Sequence, residues 1–276
     1  MRRLIECAAI FLAITLGTAA AASEQSGELR VCADPNNMPF SNRPEQGFEN
    51  SLAAMMAEQF GMQLSYTWWA QRRGFIRNTL NAGKCDVVIG VPDQFEMTET
   101  TKPYYRSTYI FVTRQDRHLD FTSLLDPKLR QLRIGVHLIG DDGSNAPPAE
   151  ALGEQGIVDN VRGYSIYGDY RQANPPARLI EAVESGEIDV AAVWGPLGGY
   201  FAKRSPIKLV VAPVQDGEQF APQRFQFSIS MGVRKGDHAL RDRLNDFIDG
   251  HRPEIASLLR SYGIPLVETP TSAGGG

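Results

Sequence analysis

Gly83-Lys84-Cys85-Asp86-Val87 returns 103 residues later as Gly186-Glu187-Ile188-Asp189-Val190. Leu29-Arg30-Val31 returns at the same offset as Leu132-Arg133-Ile134. One short match would be chance, but two at a common offset mark two similar units, each opening on a strand and later running helix, Gly, strand. The Gly90-Val91-Pro92 that ends the first unit matches the position of Trp194-Gly195-Pro196 to within one residue.

Each unit can be read outward from its repeat. In the first, Leu29 to Ala33 is a short apolar strand that ends in the turn-forming run Asp34-Pro35-Asn36-Asn37. Leu52, Met55, Met56 and Phe60 share one face of a helix over 49–60, and Gly61 stops it. A strand over 64–68 and a helix over 75–82 lead to Gly83, and Val87-Val88-Ile89 is apolar on both faces, as a central parallel strand requires. The second unit repeats the order with strands at 133–137, 161–165 and 188–194 and helices at 149–154 and 176–185. Strands alternating with helices predict parallel sheets covered on both faces. A further strand at 209–214, an extended one at 225–233 and helices at 239–249 and 253–262 finish the chain.

The last two helices have no third sheet to join, so they are expected to complete the first unit. Two crossings follow, one at 109–114 and a return at 228–234, and two crossings make a hinge. The expected organisation is lobe one at 23–113 plus 227–266, lobe two at 114–226, and a disordered tail at 267–276. A cleft should lie between the lobes at the carboxyl ends of their strands, where open parallel sheets bind ligands.

Arg2 and Arg3 precede an apolar run from Ala8 to Leu16 and an Ala20-Ala21-Ala22 site, the pattern of a cleavable secretory signal over 1–22. The run is about half the length of roughly 20 residues that a membrane span needs. Removing two Arg and one Glu with the signal takes the net charge from −4 to −5. A mildly acidic chain lacks the clustered basic face of a nucleic-acid binder. The mature chain keeps Cys32 and Cys85, which read as a disulfide in an oxidising compartment or as two small buried hydrophobes.

Four stretches resemble a known family: VCADPNNMPFSN at 31–42, GFEN at 47–50, QRRGFIRNTLNAGKCDVVIGVP at 71–92 and TTKPYYRSTYIFVTR at 100–114. The chain resembles the quinoprotein-dehydrogenase-associated periplasmic substrate-binding proteins of the methanol oxidation J protein type. The resemblance implies an α/β type II periplasmic-binding-protein fold of two Rossmann-like lobes on a two-strand hinge. It also implies a role accessory to an alcohol dehydrogenase dependent on pyrroloquinoline quinone (PQQ) and its cytochrome c. Amino-acid receptors of this fold usually carry an Arg shortly before the segment matching Pro103-Tyr104-Tyr105, to clamp the ligand carboxylate by paired hydrogen bonds. Here that segment reads Asp93-Gln94-Phe95-Glu96-Met97, without an Arg.

The candidate ligand-binding residues each have an ordinary structural alternative. Asp34, Asn36 and Asn37 follow the first strand at its cleft end, or merely stabilise a turn. Arg72 and Arg73 open a helix, where the dipole disfavours cations; they hold a ligand or an ion pair. Ser144, in Gly140-Asp141-Asp142-Gly143-Ser144-Asn145, offers anion-binding amides or a helix cap, and the string lacks the alternating ligands of a calcium loop. Trp194, Tyr104, Tyr105 and Arg106 cover a ligand, dock a partner or pack the hinge.

No H-E-x-x-H, G-x-S-x-G, dinucleotide or haem motif occurs, so no catalytic centre, metal or cofactor is expected. Three functions remain for this architecture: an accessory factor of the dehydrogenase system, a solute receptor of an ABC transporter for a small polar ligand, and a dehydratase-like enzyme using Asp34 or Asp169.

Overall fold

A computed structural model describes residues 27–138, 145–166 and 173–268. The expected signal segment at 1–22, Ser144 with its loop, Asp169 and the residues beyond Glu268 lie outside the described residues. The chain opens with β1 (Glu28–Ala33), a small hairpin of β2 (Asn36–Asn37) and β3 (Ser41–Asn42), α1 (Phe48–Phe60), β4 (Gln63–Trp68), the four-residue α2 (Phe75–Asn78), β5 (Val87–Pro92) and β6 (Glu99–Thr100). The crossing strand β7 (Tyr105–Arg114) leads to β8 (Ile134–Leu138), α3 (Pro147–Glu154), β9 (Val161–Ser165), α4 (Arg178–Glu184), β10 (Val190–Trp194), α5 (Gly195–Arg204) and β11 (Leu209–Pro213). β12 (Gln226–Val233), α6 (His238–Gly250) and α7 (Arg252–Ser261) follow.

Each lobe places its first strand between its second and third. The order is β4-β1-β5 in one and β9-β8-β10 in the other, all parallel. Each sheet is then extended by an antiparallel strand, β12 beside β5 and β7 beside β10. The sheets are therefore mixed rather than purely parallel, because the crossing strands run back through both. Within β7 the change of lobe is sharp: Tyr105–Thr108 pairs with β12, and Tyr109–Thr113 pairs with β10.

The repeated sequence has a repeated structural task. Arg30 on β1 grips Asp86 in a two-pronged ion pair, with Nε to Oδ2 at 2.9 Å and Nη2 to Oδ1 at 2.6 Å. Arg133 grips Asp189 in the same way at 3.0 and 2.9 Å. The backbone N–H of each Asp donates to the carbonyl of its Arg, at 2.7 and 2.8 Å. Gly83 and Gly186 turn the chain into this clasp with φ of 70° and 75°, a conformation that disfavours any side chain. The clasps sit at the amino ends of the strands, opposite the cleft.

Buried apolar groups from β1, α1, β5 and β12 merge with Leu244, Phe247, Ile248, Ile255 and Leu259 of α6 and α7 in one cluster, so the last helices do pack on the first sheet. On the other face of that sheet, Phe75, Ile76, Leu80 and Val88 surround the Cys32–Cys85 disulfide, whose Cα atoms are 5.5 Å apart. Two further clusters cover the two faces of the second sheet.

The helix expected over 75–82 stops at Asn78, because Thr79 leaves helical geometry (φ −120°, ψ −81°) and its hydroxyl donates back to the Phe75 carbonyl. Arg72 and Arg73 consequently precede the helix rather than open it. The run Asp34–Asn37 is part turn and part strand, since Asn36 and Asn37 pair with Asn42 and Ser41. Helix α5 was absent from the expectation, which ended the strand at Gly195-Pro196. Proline in the first turn presets helical φ, and Gly199 lets the helix approach Gly263 closely: a Cβ there would fall 2.2 Å from the Gly263 carbonyl oxygen.

That approach makes a third link between the lobes. The Lys203 ammonium donates to the carbonyls of Arg260 and Ser261 at the end of α7, Tyr200 stacks on Tyr262 at 5.9 Å, and Arg204 lies over the Tyr200 ring at 3.7 Å. The chain then runs along β7, where Val267 N–H donates to the Arg106 carbonyl and the Ser107 hydroxyl to that of Pro265.

Two outcomes test this account. Titration of denatured, unreduced protein should find no free thiol, and replacing both cysteines by serine should cost about 2–4 kcal/mol of unfolding free energy. Arg133 holds the Asp189 carboxyl down at about 2, against an ordinary 3.8. A depressed carboxylate stabilises the fold above its unfolded value, and this is lost as pH falls through the folded one. Asp189→Asn should cost about 2 kcal/mol near neutrality. In denaturant titrations the penalty should shrink between pH 4 and pH 2; a penalty independent of pH would contradict the ionic clasp.

Candidate functional site

Between the lobes, against the crossing strands, lies a cavity of about 330 Å³. It sits at the carboxyl ends of the central strands, as the strand order requires. Lobe one contributes Asn37 and Phe40 from the hairpin, Glu49 from α1, Gln71, and Gly90 to Pro92 of β5. Ile166, Trp194 and Leu197 face them from the second lobe, with Tyr105, Tyr109, Phe227 and Ile229 on the crossing strands. Trp194 meets the Tyr109 ring at 5.4 Å and the Phe227 ring at 5.6 Å, forming an aromatic wall.

Glu49 is the chemical exception in this lining. The hairpin seats the start of α1, where Phe48 and Glu49 N–H groups donate to the carbonyls of Pro39 and Phe40. Asn50 accepts from the backbone N–H of Asn42 and Gly47 and pins the same turn. Glu49 is thereby fixed on the inward face of the helix, 7% exposed. Its carboxyl lies against Gly90, where a Cβ would come within 2.3 Å of Oε1, so β5 can carry no side chain at that position without displacing the acid. Among the described residues no cation pairs with it and no donor reaches it.

Burial, and then the neighbouring Asp34 carboxylate, push the Glu49 carboxyl up to about 8. It is mostly protonated at neutral pH in the empty cleft. Burial likewise raises Tyr105 and Tyr109 far above the ordinary phenol, so both hydroxyls stay neutral. The lining thus combines aromatic walls, two amides and one buried acid, with no Lys or Arg among the described lining residues.

Of the expected site residues, the structure brings Asn37 and Trp194 to this cavity. Asp34 is buried beside it, accepting from the backbone N–H of Asn36 at 2.8 Å and of Gln71 at 2.7 Å. It therefore holds the hairpin and places Gln71, which is the turn chemistry its residue type also allowed. Asn36 supplies backbone pairing to the hairpin. Arg72 and Arg73 are exposed beyond Gln71 and make no ion pair among the described residues. Tyr104 belongs to the first lobe's core, its ring 4.9 Å from Tyr105. Arg106 lines an adjoining polar groove of about 480 Å³ with Asp93, Glu218 and Arg224, and this groove shares Pro92 and Phe227 with the cavity.

The structure also brings Tyr105 to the cavity, as the sequence allowed, while sequence reasoning passed over Glu49, Gln71, Tyr109 and Phe227. Glu49 had a signal: it falls on the helical face of Leu52, Ala53 and Met56 at spacings of three, four and seven. No group of three or more His, Cys, Asp or Glu among the described residues is arranged to hold a metal ion. No described helix is long and apolar enough to cross a membrane.

Comparison with known proteins agrees with this architecture. Protein MoxJ of Methylorubrum extorquens AM1 is 33% identical over 267 residues, covering 92% of this chain and 86% of MoxJ. The crystal structure of the periplasmic binding protein XoxJ from Methylobacterium extorquens AM1 matches with a TM-score of 0.72 at 34% identity, over 87% of this chain and 100% of XoxJ. That of MxaJ from Methlophaga aminisulfidivorans MPT matches at 0.73 and 27% identity with the same coverage. The profile of the bacterial extracellular solute-binding proteins, family 3, spans residues 29–263, and the chain belongs to that family.

Proposed function

We propose that this protein is a periplasmic, non-enzymatic accessory factor of a PQQ-dependent methanol or alcohol dehydrogenase system. It binds the dehydrogenase, its cytochrome or a small ligand, and so assists maturation or electron transfer. The observation that carries the reading is the character of the cleft: aromatic walls and a buried acid, with no cationic clamp among the described residues for the carboxylate of an amino acid. An amino-acid receptor on this fold would leave its ligand's carboxylate unpaired in a closed apolar site, at a cost of several kcal/mol. The extended similarity to MoxJ supports a place in methanol oxidation, and the signal pattern at 1–22 supports export to the periplasm.

Asn37 and Trp194 are proposed to contact the occupant. Asp34 is proposed to hold the lobe-one rim in register by fixing Gln71. The bridge and the signal pattern fit an oxidising compartment.

A pull-down from periplasm with the tagged full chain should recover the dehydrogenase or its cytochrome. In parallel, L-amino acids should leave the melting temperature unchanged. Recovery of permease components instead, with an amino acid raising the melting temperature, would overturn the accessory reading in favour of a transport receptor.

A further inference from the structure

An acid buried without a partner among the described residues invites the question of what occupies the space before it. Glu49 is more than nine-tenths buried, lines the interlobe cavity and meets no cation among the described residues. Among the described residues the titratable groups that act on it are Asp34, Tyr66, Tyr104 and Tyr105, none of them basic. The Asp34 carboxylate accepts from the Asn36 and Gln71 backbone N–H groups among its partners, and it pushes the Glu49 carboxyl up further. The opposite side of the cavity is built from Tyr109, Trp194 and Phe227, whose rings pack against one another at angles of 57° and 80°. Aromatic faces attract a cation through their quadrupoles, and most strongly in a desolvated site.

We propose that the cleft binds a small organic ammonium ion lacking a carboxylate, its charge set between the Glu49 carboxylate and the aromatic wall of Tyr109, Trp194 and Phe227. The inference rests on reading this cleft as the binding site. Among the described lining residues an anion finds no Lys or Arg and meets the Glu49 acid, while a neutral guest leaves that acid unused. A cation pays for the ionisation of Glu49 by forming the ion pair. Because the empty site holds Glu49 up to about 8, binding near neutral pH should release a proton.

Isothermal titration of the mature full chain with choline and with its uncharged carbon isostere, 3,3-dimethylbutan-1-ol, isolates the charge. Choline should bind at least about tenfold more tightly than the alcohol. Its affinity should rise about tenfold from pH 6 to pH 7 and level off above about pH 9, following the ionised fraction of Glu49. n-Butylammonium serves as a primary-amine probe with the same expectation. Glu49→Gln, which keeps the shape, should abolish the preference for choline over the alcohol and flatten the pH dependence.

Equal affinity for choline and the alcohol, an affinity that falls with pH, an unchanged Glu49→Gln variant, or no binding of either ammonium would overturn the proposal. Circular dichroism and melting of the variant establish that it folds; if it does not, the wild-type pH profile and the isostere pair decide alone. If the ammonium ions fail while the dehydrogenase still co-purifies, the ligand class is wrong and the accessory reading survives.

Discussion

The clasp between Arg30 and Asp86, and its copy between Arg133 and Asp189, is the constraint on which the arrangement rests. It ties the first strand of each lobe to the approach to its third, so the second strand must pass to the outside and the order becomes second, first, third. That order creates a switch point at the far ends of the same strands. Two carboxylates at the base thus determine where the cavity opens at the top. A charged, two-pronged pair suits this task better than an apolar contact, because its geometry admits one register.

The crossing strands add the second requirement. Since β7 changes sheets between Thr108 and Tyr109, alternate residues of one strand serve different purposes: Tyr105 and Tyr109 face the cavity, while Arg106 looks into the outer groove. The aromatic wall is therefore backbone-rigid and shared by both lobes. Against it stands an acid whose position is fixed by a hairpin, a helix start and a glycine on the neighbouring strand. Such a site is organised before anything enters it.

Much of the fold was legible because the signals were periodic or duplicated. The echo at 83–87 and 186–190 located the two units, and those residues proved to be the clasps themselves. The bridge joined Cys32 and Cys85, the two cysteines that lie beyond the expected signal segment. Helix α5 was illegible because Gly195, Gly198 and Gly199 weaken the helical signal, their presence explained only by the close packing they permit. Site residues were harder, for physical reasons. Tyr104 and Tyr105 are adjacent, and only the pairing of Tyr105 with Ile229 decides which of them meets the cavity. Asp34 and the two arginines attracted attention as charges, whereas Glu49 was hidden inside a run that reads as an ordinary amphipathic helix.

The contact of α5 with the end of α7 bears on how such a molecule can move. A body joined by two adjacent strands can open like a book, turning about the line between them. Here Lys203 and the Tyr200–Tyr262 stack add a third attachment between the lobes, and the segment 265–267 runs along the crossing strand β7 itself. Opening the jaws bends the crossing strands or peels the α5 contact away, so the aperture of the cleft and the integrity of this glycine-lined joint are set together.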